Sequence, residues 1–379
     1  MVRLSDHRRR AFGVMCWIAL FYCAAQVGGG LALDYLWPQV RFPSAYRKLA
    51  TLRAWPRSPD ILFLGSSRTG TDCRQELISQ QLQERCPGEP LLAYNASLTA
   101  GDFVSNDFLL DLFLKNGVRP KVAVVEVTPE MVCRCNTWLQ MHVSRQLRWD
   151  DVPHYFTDVC RAGQLGRLCM ARLEPLYVHR QEILDDFSRS LLREGNDLEP
   201  EGVPVLPSAS KTGPDSTRSE RVIGVLTSRR SAPKQTEIDW QTVIAKSVGG
   251  IDVSQVERTE IGLYGPRRVL RPGYAIGGTA TECFERILSN CRAHEITTLL
   301  LEVPVCSRYR ALYTPEIDGI FRAYIKQVTE KYGCRFVACR NWVPDLLFYD
   351  NHHLTIDGGV YFSQRFTAEV LEPMFEREP

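Results

Sequence analysis

ILFLGSSRTGTD, residues 61–72, is a four-residue apolar run that stops at glycine and hands over to polar residues able to start a helix. A short, wholly apolar run bounded by glycine reads as a strand buried on both faces, and such strands belong to parallel sheets covered by helices. The same grammar recurs along the chain. Strands are predicted at Ile61–Leu64, Leu91–Tyr94, Val122–Val127, Thr298–Val303 and Arg335–Ala338, and helices at Arg74–Glu84, Phe103–Lys115, Thr279–Ala293, Pro315–Tyr332 and Ile356–Leu371. Five strand-then-helix units imply an α/β fold with a five-stranded parallel sheet and right-handed crossovers. In open parallel sheets ligands bind beyond the carboxyl ends of the strands, so functional residues should follow the apolar runs.

Composition sets outer limits. The chain has 379 residues, 44% hydrophobic and 24% charged, enough for a sizeable core and incompatible with disorder throughout. Its 46 basic and 44 acidic side chains leave a formal charge of +2, which supplies no field for a nucleic-acid backbone.

Outward toward the N-terminus, Arg3, Arg8, Arg9 and Arg10 precede an uncharged run from Ala11 to Leu33. At 1.5 Å per residue that run can cross a hydrocarbon core of about 30 Å. A cleaved signal peptide is the alternative, but the run is long for one and no clear small-x-small site precedes Asp34. Residues 1–34 are therefore expected to be a cytoplasmic tip and transmembrane anchor, and residues 35–379 one α/β domain. Arginines before the span, and none just after it, place the domain outside the cytoplasm by the positive-inside rule. Of thirteen cysteines, Cys16 and Cys23 fall in the span, and some of the other eleven should pair in an oxidising compartment. Cys133 and Cys135 form C-x-C, but no C-x-x-C or second ligand pair accompanies them, so no structural metal is expected.

Between the third and fourth strands the alternation is interrupted, over residues 131–271. The first part, to about Arg193, has aromatic and Leu-rich pieces suited to helices. Residues 194–234 are dense in Pro, Ser, Gly and charge and are expected to be a flexible loop.

Three stretches carry chemistry. After the first strand, Gly65-Ser66-Ser67 would present a serine hydroxyl, and backbone N–H groups, at the start of a helix, which suits a nucleophile. A helix-capping serine is the plainer reading. Gly65 to Gly70 has phosphate-loop spacing, but Thr71 and Asp72 stand where that loop needs Lys and Ser/Thr. The elbow G-x-S-x-G fails as well, because Thr69 takes the last glycine position. Near the C-terminus, Asp350 and His353 suit the acid and base that a serine nucleophile requires. With His352 they also form a His-His-Asp set that could hold a metal, and solvent-exposed histidines remain a third reading. After the second strand, NASLTAGD offers Asn95 and Gly101, the latter able to bring a backbone N–H close to an oxyanion. Asn95 to Ser97 also matches a glycosylation sequon, a pattern common by chance.

In this order the three stretches resemble the SGNH hydrolase superfamily, the GDSL esterases and their transferase relatives. GSS is similar to the GDS block, NASLTAGD to an N-A-S-x-S-G-D second block with one residue added before Gly101, and DNHH to the final D-x-x-H. The resemblance covers about residues 60–130 and 283–372. It implies a three-layer fold, Ser67 as nucleophile, His353 as base and Asp350 as acid. Gly101, Asn95 and Arg68 are assigned to the oxyanion or substrate, with no cofactor. The third block, normally G-x-N-D, reads VEVTPE at Val125–Glu130, so the oxyanion-hole asparagine is missing. That loss, the GSSR-like block and the anchor are similar to the extracytoplasmic branch, which includes the D-alanyl-transfer and alginate O-acetylation proteins. The expected function is an acyltransferase or esterase on O-acyl groups of a cell-envelope polysaccharide, periplasmic or at the cell surface. An acyl donor and a membrane-bound O-acyltransferase are the implied partners. The alternative is a catalytically inactive glycan-binding or assembly protein of the same fold.

Overall fold

The computed structural model describes residues 2–86, 88–135, 147, 152–161, 163–192, 263 and 265–376. The chain opens with a 30-residue helix, α1 (Val2–Leu31), whose last turns widen through Ala32–Leu36. The stretch Arg8–Leu36 is long and apolar enough to cross a membrane. Two helices follow, α2 (Pro38–Arg41) and α3 (Pro43–Ala54). Then come β1 (Ile61–Leu64), α4 (Ser67–Asp72), α5 (Gln75–Arg85), β2 (Ala93–Asn95), α6 (Phe103–Lys115), β3 (Val122–Glu126) and α7 (Pro129–Val132). Residues 152–192 make four helices, α8 (Val152–Arg161), α9 (Leu165–Leu173), α10 (Pro175–Val178) and α11 (Arg180–Leu192). The alternation resumes with α12 (Thr279–Ala293), β4 (Thr297–Glu302), α13 (Ser307–Arg310), α14 (Pro315–Tyr332), β5 (Arg335–Ala338), α15 (Ile356–Phe366) and α16 (Glu372–Phe375).

The five strands pair in parallel in the order β2-β1-β3-β4-β5. The expected α/β class and five-stranded sheet are therefore present. Alternate strand residues face opposite sides. Leu62, Leu64, Ala123, Val125 and Leu300 pack into one core with α3, α6 and α12, while Ile61, Phe63, Val122, Val124, Leu299 and Leu301 pack into another with α5 and α15. Helices on both faces complete the expected three layers.

The crossover direction changes at β1, because β2 lies to one side of it and β3 to the other. This switch point opens a crevice at the carboxyl ends of β1 and β3. Helix α3 runs toward the opposite end of the sheet. Lys48 Nζ reaches Asn95 O, at the end of β2, at 3.3 Å, and Arg53 reaches Asn116, ahead of β3, at 2.5 Å. Helix α1 thus joins the domain on the side of the strand carboxyl ends.

Two details differ from expectation. All thirteen cysteines are free thiols, and Cys73, Cys133, Cys283, Cys291, Cys306 and Cys339 are buried, used as small apolar side chains. The second strand begins at Ala93, because Asp60, just ahead of β1, draws Leu92 N–H onto its carboxylate at 2.8 Å. The expected flexible loop 194–234 lies outside the described residues.

Candidate active site

At the end of β1 the chain turns at Gly65 because nothing larger fits: a Cβ there would lie 2.6 Å from Glu126 Oε2. Ser66 adopts extended backbone and caps α4, its hydroxyl accepting the Arg68 N–H at 3.2 Å. Ser67 is the first residue of α4, partly exposed at the crevice. Its Oγ lies 2.8 Å from His353 Nε2 although 286 residues separate the two. His353 Nδ1 lies 2.7 Å from Asp350 Oδ2.

The loop carrying this pair is short and internally tied. Asp350 Oδ1 accepts the backbone N–H groups of His352 and His353, each at 2.8 Å, and Tyr349 N–H donates to His353 O at 2.8 Å. Burial pushes the Asp350 carboxyl up, but the His353 bond, the neighbouring His352 and the backbone N–H groups outweigh it and hold the group well below the usual carboxylate range. An ionised Asp350 only accepts, so Nδ1 of His353 carries the proton and Nε2 is left to accept from the Ser67 hydroxyl.

Two bonds from one serine hold the segment after this loop to the end of α4. Ser363 of α15 donates its hydroxyl to Asp72 O and accepts the Arg74 N–H, each at 2.8 Å. The Asp72 side chain is fully buried beside them, its Oδ1 accepting the Thr71 hydroxyl at 2.9 Å. Burial pushes the Asp72 carboxyl well above its ordinary range.

Beneath Ser67 lies a buried network that sequence reasoning passed over. Glu126 Oε2 accepts the Ser66 N–H and the Thr69 hydroxyl, each at 2.6 Å, and Oε1 accepts the Ser66 hydroxyl and Arg68 Nε, each at 2.9 Å. Arg68 continues to Glu130 at 2.5 Å and Thr128 at 3.1 Å, and Tyr309 and Tyr313 donate to Glu130 at 2.8 and 2.9 Å. Burial pushes the Glu130 carboxyl up, but Arg68 beside it brings it below its usual value. The signal was a glutamate ending an otherwise apolar strand, VAVVE, where a charge survives only if paired.

The residues assigned to the oxyanion or substrate are employed otherwise. Arg68 is 1% exposed and bound to two glutamates, so its guanidinium faces away from the crevice. Asn95 Nδ2 donates to Thr69 O and Cys73 O at 2.9 and 2.8 Å, so its amide is spent on closing the end of α4. Gly101 N–H closes a turn onto Leu98 O at 2.9 Å, through Ala100 at φ 52°. The residue inserted before Gly101 makes that turn. Glycine is needed there because a Cβ would crowd Gly65 O.

His352 stacks on His353 with ring centroids 4.2 Å apart. Burial, and then the His353 ring, push its imidazole down to about 3, so it is neutral at ordinary pH. Ligand atoms of Asp350, His352 and His353 lie within 4.8 Å of one another. Both His353 nitrogens are spent on Ser67 and Asp350, and His352 Nδ1 meets Asn351 Oδ1 at 2.5 Å, so a cation would have to break these bonds.

No protein-family model and no curated protein matches the chain. Among solved structures, a protein from Streptococcus pneumonia described provisionally as a platelet activating factor aligns at 11% identity, over 94% of this chain and 98% of that one, with a TM-score of 0.33. A likeness at that level carries no argument, and the sheet order and site contacts stand on their own.

Proposed function

We propose that the chain is a membrane-anchored serine acyltransferase or esterase acting on O-acyl groups of a cell-envelope polysaccharide. The observation that carries the reading is the Ser67–His353–Asp350 chain of contacts at the sheet's switch point. Ser67 Oγ attacks the acyl carbonyl as its proton passes to His353 Nε2, and Asp350 supports the imidazolium. The proton then goes to the departing alkoxide, leaving an acyl ester on Ser67. An incoming sugar hydroxyl, or water, gives its proton to His353 and takes the acyl group, and His353 returns that proton to the departing Ser67 oxygen. Ser67's own N–H is the oxyanion donor. The anchor and the arginines before it favour a domain outside the cytoplasm, where an envelope polymer and a membrane-bound O-acyltransferase would be the partners.

A second reading, a glycan-binding protein without turnover, is favoured by one observation: Gly101 N–H is committed to Leu98 and Glu126 occupies the third block, so the hole is sparsely furnished. A serine-directed phosphonate separates the two. Adduct mapped to Ser67, and lost in Ser67→Ala, supports catalysis; an unreactive Ser67 in folded protein supports binding alone.

A further inference from the structure

Beyond α1 and the turns that end it, the described residues expose ten large apolar side chains, and these fall in two groups. Seven lie on α8 to α11, led by Leu173 and Leu184 at 65% and Phe187 at 63%. The other three, Leu346, Tyr349 and Ile356, flank the loop that carries Asp350 and His353.

Both groups lie at the end of the sheet where the anchor enters. The loop follows β5, and α8 meets the middle of α12 and the second turn of α6, the helix that follows β2: Arg286 bonds Tyr155 at 2.5 Å and Asp107 at 2.9 Å. Helices α9 and α10 also pack directly on α1. A Cβ on Gly29 would lie 2.6 Å from Leu176 Cδ2, and Gln26 Oε1 accepts the Leu176 N–H at 3.3 Å. Asp34, buried where α1 ends, pairs with Arg41 and with Arg172 of α9, the latter at 2.8 Å. This joint fixes the angle between span and helices.

The height of the joint is set by the span. A hydrocarbon core of about 30 Å entered at Ala11 ends near Gly30 at 1.5 Å per residue. Leu176 therefore meets α1 at the core's outer boundary. Tyr35, Trp37 and Tyr177 are exposed at this level, the side-chain type that collects at bilayer interfaces. Arg180 lies 4.3 Å over the Tyr177 ring, an apolar stem with a charged head suited to headgroups. Leu184 and Phe187, three residues apart, share one face of α11.

We propose that this end of the domain is a membrane-contacting surface, in which α9 to α11 rest in the headgroup layer and the Ser67 site takes an acyl donor held at the bilayer surface. The inference rests on the reading of α1 as a membrane anchor. The bilayer is the occupant because the exposed apolar surface continues that of α1 across a packed joint.

The test uses the full chain reconstituted in phosphatidylcholine and phosphatidylglycerol vesicles that contain a phospholipid with a diazirine near its headgroup. Adducts are expected on peptides covering 8–37 and 164–192. Adducts on 8–37 alone overturn the surface; none on 8–37 removes the anchor reading and the surface with it. Leu173→Glu, Leu184→Glu and Phe187→Glu combined should lose the adducts on 164–192, keep those on 8–37 and leave the melting temperature unchanged. Leu184→Glu alone should shift them in the same direction if the combined variant does not fold. Adducts that persist on 164–192 overturn the assignment. A long-chain phosphonate held in the vesicles should label Ser67 roughly tenfold more slowly in the combined variant, because interfacial binding scales with buried apolar area, while a short soluble phosphonate labels it unchanged. Equal slowing of both overturns the donor half of the proposal. Wild-type protein labelled by neither probe overturns that half together with the serine mechanism, while the adduct map still judges the surface.

Discussion

Ser66 and Ser67 are neighbours with opposite fates, and substitution separates them. Ser67→Ala should abolish phosphonate labelling and acyl-ester turnover with no change in unfolding, since its hydroxyl is partly exposed and opens no cavity. Ser66→Ala removes a helix cap and a bond to Glu126, so it should cost about 0.5–2 kcal/mol in a denaturant titration while Ser67 still labels. Asp350→Asn frees the His353 tautomer, and turnover should drop by about 10⁴ with a preserved fold. The carboxyls also make opposite demands on pH. The folded value of Asp350 is depressed, so its stabilisation is complete above the unfolded value of about 3.9 and is lost as pH falls through the folded value. Asp72 is raised, so its contribution is complete below about 3.9 and declines as pH rises toward its folded value. Denaturation of wild type and Asp72→Asn at pH 5 and pH 8 should show the variant gaining on wild type at the higher pH. A pH-independent difference would mean that Asp72 is ionised in the fold.

At the scale of the element, α4 is six residues long and cannot hold itself. Its start is bonded to Glu126, its end is closed by Asn95, and Ser363 ties its last carbonyl to α15. The position of Ser67 is therefore set by β3 and α15. Glu126→Ala strands Arg68 as a buried charge with one glutamate gone and should cost about 3–5 kcal/mol in equilibrium unfolding. Glu126→Gln keeps the shape and should fold better than the alanine variant, but label Ser67 more slowly than wild type because the grip on the Ser66 N–H weakens. Wild-type labelling by a folded Glu126→Gln would dissociate the network from the nucleophile. The other elements were readable because each buries a stripe of its own. Phe103–Lys115, Thr279–Ala293 and Pro315–Tyr332 have the boundaries expected from their periodicity. α4 was anticipated only as a helix start and not as a separate six-residue element, since Ser-Arg-Thr-Gly-Thr-Asp has no apolar repeat and is helical through what grips its two ends.

At the scale of the whole molecule, the arginine cluster and α1 predict an orientation that a protease can test. Applied to cells stripped of their outer barrier, it should digest the domain beyond Trp37. Protection of that domain would place it in the cytoplasm and withdraw the envelope polymer as substrate. The sheet order bears on the same question, because α3 runs away from the strand carboxyl ends and so turns the crevice toward the anchor.

The amino-acid order alone was sufficient for the sheet and the apolar helix, because periodicity and length are local properties written in consecutive residues, and it singled out Ser67, Asp350 and His353, which the fold brings within hydrogen-bond reach of one another. The roles of Arg68, Asn95 and Gly101 were beyond its reach. Each stands in a stretch suited to a ligand, and each is claimed by a partner distant in sequence or by a turn that an inserted residue creates: Glu126 and Glu130 for Arg68, the carbonyl end of α4 for Asn95, Leu98 O for Gly101. Competition for a polar group between solvent, substrate and a buried partner is settled by which atoms packing brings within about 3 Å. Glu126 shows the same limit, since a strand-ending glutamate announces that some cation must neutralise it, and only the register of β1 against β3 made that cation Arg68.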